Sequence, residues 1–249
     1  MDVRQKIVED GFCLLPSAVS RDVVDAALGR INRAFTTYGI RPEDNQRHYD
    51  LTYFPEITSA PEIKALYGRT QLHHLAEQLI SERAQATGTQ IALRFPEDQA
   101  RALQPHVDGT FHRHTGGRGY IHHFTALAGV FLSEAGPGDG TLYVWPGSHL
   151  ALAAHFARNG ADRIIRFGEL PEIDFGPPVP LHVRPGDAFI AHNLLVHSIS
   201  SNIGPNIRYA VFFRVKHPHV ERFNYRPLIE PWLGWNGINN PASTTSTDP

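Results

Sequence analysis

From residue 89 to residue 216 the chain is a succession of apolar runs, most of them short and closed by glycine or proline, and no other feature limits the fold so strongly. Thr89–Phe95, Tyr120–Leu132, Thr141–Trp145, Leu181–Arg184, Ala188–Ala191, Leu194–Ser200 and Ile207–Lys216 read as strands, being rich in β-branched and aromatic residues. Turn chemistry separates several of them, at Gly136-Pro-Gly-Asp-Gly140, Pro185-Gly186-Asp187 and Gly204-Pro205. Many short strands punctuated in this way build an antiparallel sandwich or jelly roll.

The first third has a different texture. Val3 to Asp10 reads as a short helix, and Gly11 to Pro16 as a strand. Ser20 is expected to cap a second helix whose Val23, Val24, Ala27, Leu28, Ile31 and Phe35 share one face, with Gly39 ending it. Residues 40–61 show no period and form an ordered loop, either a substrate wall or a wrap over the sheet. Ile63–Tyr67 and Gln71–Ile80 read as helical, with His73 and His74 facing solvent. Further on, Ser148 is an expected N-cap for a helix over Leu150–Arg158, and Pro171, Pro177 and Pro178 argue against regular structure from there to Pro180. Trp232 and Trp235 are expected to fold back onto the body, and the last ten residues to be disordered. The expected organisation is one domain over 1–249, mainly helical in 1–88, with a jelly-roll core over 89–216 and an extension over 217–249.

Composition excludes several functions. A net charge of -2 and a pI of about 6.7 offer no basic surface to nucleic acid or an anionic membrane. No run of about eighteen apolar residues suits a membrane span. The one cysteine, Cys13, rules out an intramolecular disulfide and a cysteine-rich zinc site, so a reducing cytosol and a small-molecule ligand are expected. Histidine is the conspicuous enrichment, with 15 in the chain.

Chemistry enters at Gln104-Pro105-His106-Val107-Asp108-Gly109. On extended backbone, side chains two apart share a face, so His106 and Asp108 can converge on one ion while Val107 turns away. Imidazole and carboxylate are the ligand types of a 2-His-1-carboxylate facial triad, which leaves positions open opposite the protein. The third ligand should sit on a rigid strand, and His197 within Leu194–Ser200 fits best. His192 is the alternative. The two are an odd number of positions apart, so a regular strand through both points only one of them inward. Arg208, on the following strand and taken as the second arm of the same hairpin, can grip a carboxylate through its planar fork.

These residues resemble the phytanoyl-CoA dioxygenase-like branch of the Fe(II)/2-oxoglutarate-dependent oxygenases. The resemblance runs from Gly11-Phe12 to Arg208. It rests on the His106-Val107-Asp108 tripeptide, the Gly140-to-His149 block ending in Pro-Gly-Ser-His, the Gly186-Asp187 turn, and the order His197, Asn202, Arg208. It implies a double-stranded β-helix, Fe(II) held by His106, Asp108 and His197, and 2-oxoglutarate held at its distal carboxylate by Arg208. It also implies O₂ as cosubstrate, ascorbate as a support for activity in vitro, and hydroxylation or another oxidation of a C–H bond. Arg94 falls about where relatives place a polar contact to cosubstrate or substrate. Where relatives carry a small hydroxyl residue two places after the second histidine, this chain has Ile199, which leaves Arg208 more alone or assisted by Ser198 or Ser200.

Two other readings stay open on the residues alone. One is a cupin-type metal isomerase or dioxygenase that uses no keto acid, and the other a barrel that only binds. The substrate is not legible, nor is the oligomeric state. The substrate's contacts are expected from residues 40–61, from Thr110–Gly119 with its Gly116-Gly117-Arg118-Gly119 run, and from the aromatic tail, while His112, His114, His122 and His123 are open between substrate contact, support of a ligand and surface. Without a basic patch for coenzyme A, the family's title substrate is not implied.

Overall fold

The computed structural model describes residues 2–40, 52–109 and 124–239. Helix α1 (Val3–Asp10) begins at Asp2, whose carboxylate accepts from Arg4 N–H, and leads directly into strand β1 (Phe12–Leu15). Helix α2 (Arg21–Tyr38) buries Val24, Ala27, Ile31 and Ala34, the stripe that its period announces. Ser20 occupies its N-cap position without a capping side-chain bond, so the expected cap is backbone only. Tyr53 and Phe54 are buried, and Tyr53 N–H donates to Ile91 O, so the described part of the 40–61 stretch is a wrap over the sheet. Helices Pro61–Gly68 and Gln71–Leu79 follow, with His73 and His74 on their solvent side.

Strands β2 (Gln85–Arg94), β3 (Ala126–Phe131), β6 (Ala188–His192) and β8 (Arg208–Lys216) join β1 in a five-stranded antiparallel sheet of order β1-β6-β3-β8-β2. A smaller sheet faces it, in the order β5-β4-β7, made of β4 (Leu142–Val144), β5 (Val179–Pro180) and β7 (His197–Ile199). This is the jelly-roll, cupin-like architecture expected from the strand pattern.

Parity divides the large sheet. Residues such as Ile91, Leu93, Val211, Phe213 and Val215 pack outward against the N-terminal helices. Their neighbours Ala92, Ala210 and Phe212 point between the sheets, joining Phe131, Phe189, Leu142 and Val144 in the interior. Phe131, Phe189 and Phe212 meet there with centroids 5.9–6.4 Å apart, mostly edge to face. Functional side chains must find room in this apolar interior.

Several sequence expectations need correction. β2 starts at Gln85 and runs through Gly88, where the register slips between Thr87 and Gln90, so the β texture precedes residue 89. Residues Asp162–Phe167 form a helix, because the prolines that argue against structure all lie beyond it. Ser148 is the first residue of helix Ser148–Asn159, not its cap, and its Oγ accepts from Val196 N–H at 2.9 Å. The expected strand at Leu181–Arg184 is displaced to β5, with only Val183 bridging to Ala135. Only His197–Ile199 of Leu194–Ser200 is strand. Most consequential, β7 and β8 belong to different sheets, so His197 and Arg208 are not arms of one hairpin.

The C-terminal tryptophans do fold back. Trp235 is fully buried and stacks on His192 at 5.4 Å and 8°. Beside them lies His149, fully buried, with no well-formed hydrogen bond to either ring nitrogen among the described residues. Burial pushes its pKa down to about 4, against the smaller opposing pull of the Val8 backbone and Asp10. A histidine held neutral in the fold but free to charge when unfolded favours the folded state fully above about pH 6.5, and that contribution disappears as pH falls toward 4. His149→Leu is therefore expected to flatten the loss of urea stability between pH 7 and pH 4.5 by about 2 kcal/mol relative to the parent. Parallel pH profiles for the two proteins would contradict this account of His149.

Candidate metal centre

Gln104 and Pro105 bring the chain along the edge of the small sheet, where Gln104 N–H donates to Ser198 Oγ at 2.9 Å. His106 and His197 then exchange both backbone hydrogen bonds at 3.0 Å as an isolated antiparallel bridge, which sets their rings 4.5 Å apart. Convergence thus comes from one bridge and not from a long strand. The same device orients both rings. His106 Nδ1 lies 2.9 Å from Gln104 O, and His197 Nδ1 lies 2.9 Å from Leu195 O. A carbonyl only accepts, so each Nδ1 carries the proton and each Nε2 presents its lone pair.

Both Nε2 atoms look toward Asp108 Oδ1, at 3.9 Å from His106 and 3.5 Å from His197. Gly109 follows at a φ of +91°, a conformation open to glycine, and turns the chain away. Among the described residues these three are the one cluster of metal-ligand type, with all donor atoms within 4.8 Å of one another. His106 is held below its ordinary pKa, first by burial and then by His197. Its side chain is still 44% exposed, so the direction alone carries weight: the ring is neutral near pH 7. For Asp108 burial is the largest influence and would raise the pKa, but Arg214 and then His197 overcome it and hold the carboxyl well below the usual carboxylate range. A neutral imidazole beside an ionised carboxylate is the protonation state that metal binding requires.

Arg208 lies elsewhere on the same interior face. It is 3% exposed, and its guanidinium donates from Nε to Gly140 O at 2.9 Å and from Nη1 to Ala92 O at 3.1 Å. Two of five N–H donors are thereby fixed, and among the described residues no carboxylate pairs with it. Arg94 stands directly opposite on β2. Burial and then Arg94 push the Arg208 pKa down to about 9, with Tyr53 pulling the other way. Like charges side by side repel, and a buried guanidinium such as that of Arg208 gains when an anion joins it. Gly140 belongs to this arrangement: its φ is +70°, and a Cβ there would come within 2.8 Å of Arg94 Cβ. Among the described residues neither serine suggested as a helper bonds to Arg208: Ser198 Oγ accepts from Gln104 N–H, and Ser200 Oγ is buried without a partner.

The sequence reading missed Arg214, whose Nη2 lies 2.7 Å from Asp108 Oδ2. It stands six positions after Arg208 on β8, so strand parity alone places both on the interior face. His192 is excluded as a ligand, because its Nε2 donates to Pro231 O at 2.6 Å and its Nδ1 accepts from Leu194 N–H at 3.0 Å. His112, His114, His122 and His123 lie outside the described residues.

Residues 7–210 match the family described as Phytanoyl-CoA dioxygenase (PhyH). The chain belongs to the phytanoyl-CoA dioxygenase family. Membership places it among the iron- and 2-oxoglutarate-dependent oxygenases. No curated protein matches it. Its fold recurs in AviO1 from Streptomyces viridochromogenes, at 21% identity and a TM-score of 0.59, over 88% of this chain and 95% of that one. It recurs in HygX from Streptomyces hygroscopicus, solved with nickel and 2-oxoglutarate, at 18% identity and a TM-score of 0.58 over 84% of each chain. EctD from S. alaskensis, solved with 2-oxoglutarate and 5-hydroxyectoine, shares it at 19% identity and a TM-score of 0.55, over 87% of this chain and 76% of that one. These likenesses establish that the family member described here is built on their fold. No described helix is long and apolar enough to cross a membrane.

Proposed function

We propose that the chain oxidises a C–H bond of a small molecule with O₂ and 2-oxoglutarate, releasing succinate and CO₂, and that His106, Asp108 and His197 hold the Fe(II). The observation that carries this reading is the pairing of a ligand-ready His-Asp-His cluster with a buried Arg208, which no carboxylate of the described residues pairs with, on one barrel interior. Nickel and 2-oxoglutarate in HygX, and 2-oxoglutarate in EctD, support it. Bound iron would chelate the keto acid and activate O₂, one oxygen atom entering succinate and the other the substrate.

The protein's own contribution is placement and dryness. The two carbonyl-anchored imidazoles and Asp108 Oδ1 would hold the ion through three donor atoms, with its remaining positions left for ligands. Arg208 offers its remaining N–H groups to the distal carboxylate of 2-oxoglutarate, and Arg94 adds positive charge beside it. Phe131, Phe189, Phe212 and Leu142 keep the neighbouring interior apolar, which strengthens each polar contact made there. A cupin-type enzyme without a keto acid would have no use for an arginine built in this way, and a barrel that only binds would have no use for three aligned donors.

The test is succinate release and oxygen uptake with Fe(II), ascorbate and a panel of small metabolites, with and without 2-oxoglutarate. Uptake that requires 2-oxoglutarate and rises with one panel member is the expected result. Uptake indifferent to the keto acid would move the chain to the cupin-type reading.

A further inference from the structure

Arg214 is tied to the metal centre from one side only. Its Nη2 donates to Asp108 Oδ2 at 2.7 Å, while Asp108 Oδ1 faces the two imidazoles. The two carboxylate oxygens are thus divided between different tasks. On its other edge Arg214 Nη1 donates to Gln90 Oε1 at 2.7 Å, so the guanidinium is itself held. The Arg214 and Asp108 side chains are 19% and 16% exposed, and a charged contact so shielded is stronger than one at the surface.

The backbone is shaped for this arrangement. On β2, Thr87 stands opposite Arg214 and Gln90 opposite Phe212, so both face the interior although they are three positions apart. In an unbroken strand an odd separation would place them on opposite faces. The bulge between them absorbs the extra residue, with Gly88 at a φ of +58° against the Arg214 side chain. Without it Gln90 would turn toward the helices, and Arg214 would lose its second anchor.

We propose that Arg214, braced by Gln90, is a positioning residue that commits Asp108 to bind the metal through Oδ1 alone. The inference rests on the proposed triad and adds to it a reason why the triad would offer three donor atoms and not four. A carboxylate free to turn can bind through both oxygens, and the second would take a position that the keto acid needs. Arg214 occupies Oδ2 and keeps that position open. It also works against metal affinity, since a positive charge near the ion repels it.

These opposed effects make the role measurable at binding equilibrium, without turnover. Co(II) is the probe, read by its visible absorption, which reports coordination geometry, and 2-oxoglutarate is then titrated into the Co(II) protein. With Arg214→Leu, Co(II) binding is expected to hold or tighten, the absorption to change before keto acid is added, and 2-oxoglutarate affinity to fall about 10-fold or more. Gln90→Leu, which leaves the ion pair in place, is expected to shift both readouts in the same direction by less. Arg214→Lys retains a donor for Oδ2 and is expected to restore most of the parent absorption. If Arg214→Leu and Gln90→Leu keep the parent absorption and keto-acid affinity, the positioning role is wrong. It is equally wrong if Arg214→Leu lowers Co(II) affinity alone, the mark of a merely structural contact. Should the parent protein itself fail to bind one Co(II), the triad falls, and this inference with it.

Discussion

An Asp108→Ala protein is expected to bind no Co(II) in the range where the parent saturates, and to release no succinate above the enzyme-free background. Asp108 Oδ1 is the atom on which both Nε2 lone pairs converge, at 3.9 and 3.5 Å. Without it two imidazoles remain, too few to bind an ion tightly and to neutralise its charge. The effect should exceed the ~10–100-fold that changes in outer-shell partners cost. Loss of the carboxylate also strands Arg214, a largely buried cation that pairs with Asp108 at 2.7 Å. Breaking such a pair from one side costs about 3–5 kcal/mol in general, so folding has to be measured alongside binding. Asp108→Asn separates the two effects, because it preserves volume and an acceptor for Arg214 while removing the negative charge. Both variants folded, with neither binding metal, is the expected pattern. Undiminished succinate from folded Asp108→Ala would refute the ligand assignment.

What the sequence revealed and what it hid follow from how local each signal is. Strand positions and turns were legible because alternation and Gly-Pro chemistry act over a few residues. His106 and Asp108 were legible because two positions on extended backbone share a face, and His197 because it lies within the apolar run Leu194–Ser200, of which the structure keeps His197–Ile199 as strand. The parity argument set His192 aside by an incomplete route, since the chain turns between the two histidines and hydrogen bonding is what occupies the His192 ring. Hidden features were the non-local ones. Nothing between residues 199 and 208 announces that the chain leaves one sheet for the other. The bulge at Gly88 decides which face Gln90 takes, yet a lone glycine in a strand does not state its register. Arg214 had a readable signal in its even spacing from Arg208, but only the three-dimensional arrangement supplies its carboxylate, 106 positions away in the chain. Ser148 looked like a cap because its residue type favours that role, whereas tertiary structure gives its hydroxyl to Val196.

Arg208→Ala should leave the metal centre intact and raise the 2-oxoglutarate concentration needed for half-maximal succinate release by about 100-fold or more. A hydrogen bond to a charged group contributes about 1.5–3 kcal/mol, and a forked pair supplies two of them. The lower end of that range already gives about two powers of ten. The fork does not have to be assembled on binding, because the bonds to Gly140 O and Ala92 O hold it before any ligand arrives. Arg94 opposite adds repulsion that an incoming carboxylate would relieve, and this repulsion helps to push the Arg208 pKa down to about 9. Binding therefore gains both contact and release of that repulsion. Arg208→Lys retains the charge but not the fork, and a lysine ammonium cannot reach both backbone carbonyls and a carboxylate in one plane. It is expected to fall between parent and Ala in keto-acid requirement, with Co(II) affinity unchanged in both variants. Since the Gly140 carbonyl loses its buried donor, a modest fall in thermal stability should accompany Arg208→Ala and must be read apart from the kinetics. If 2-oxoglutarate saturates the Arg208→Ala protein at the parent concentration, the keto acid's far end is held by some other group, and the buried Arg208 answers to a different anion.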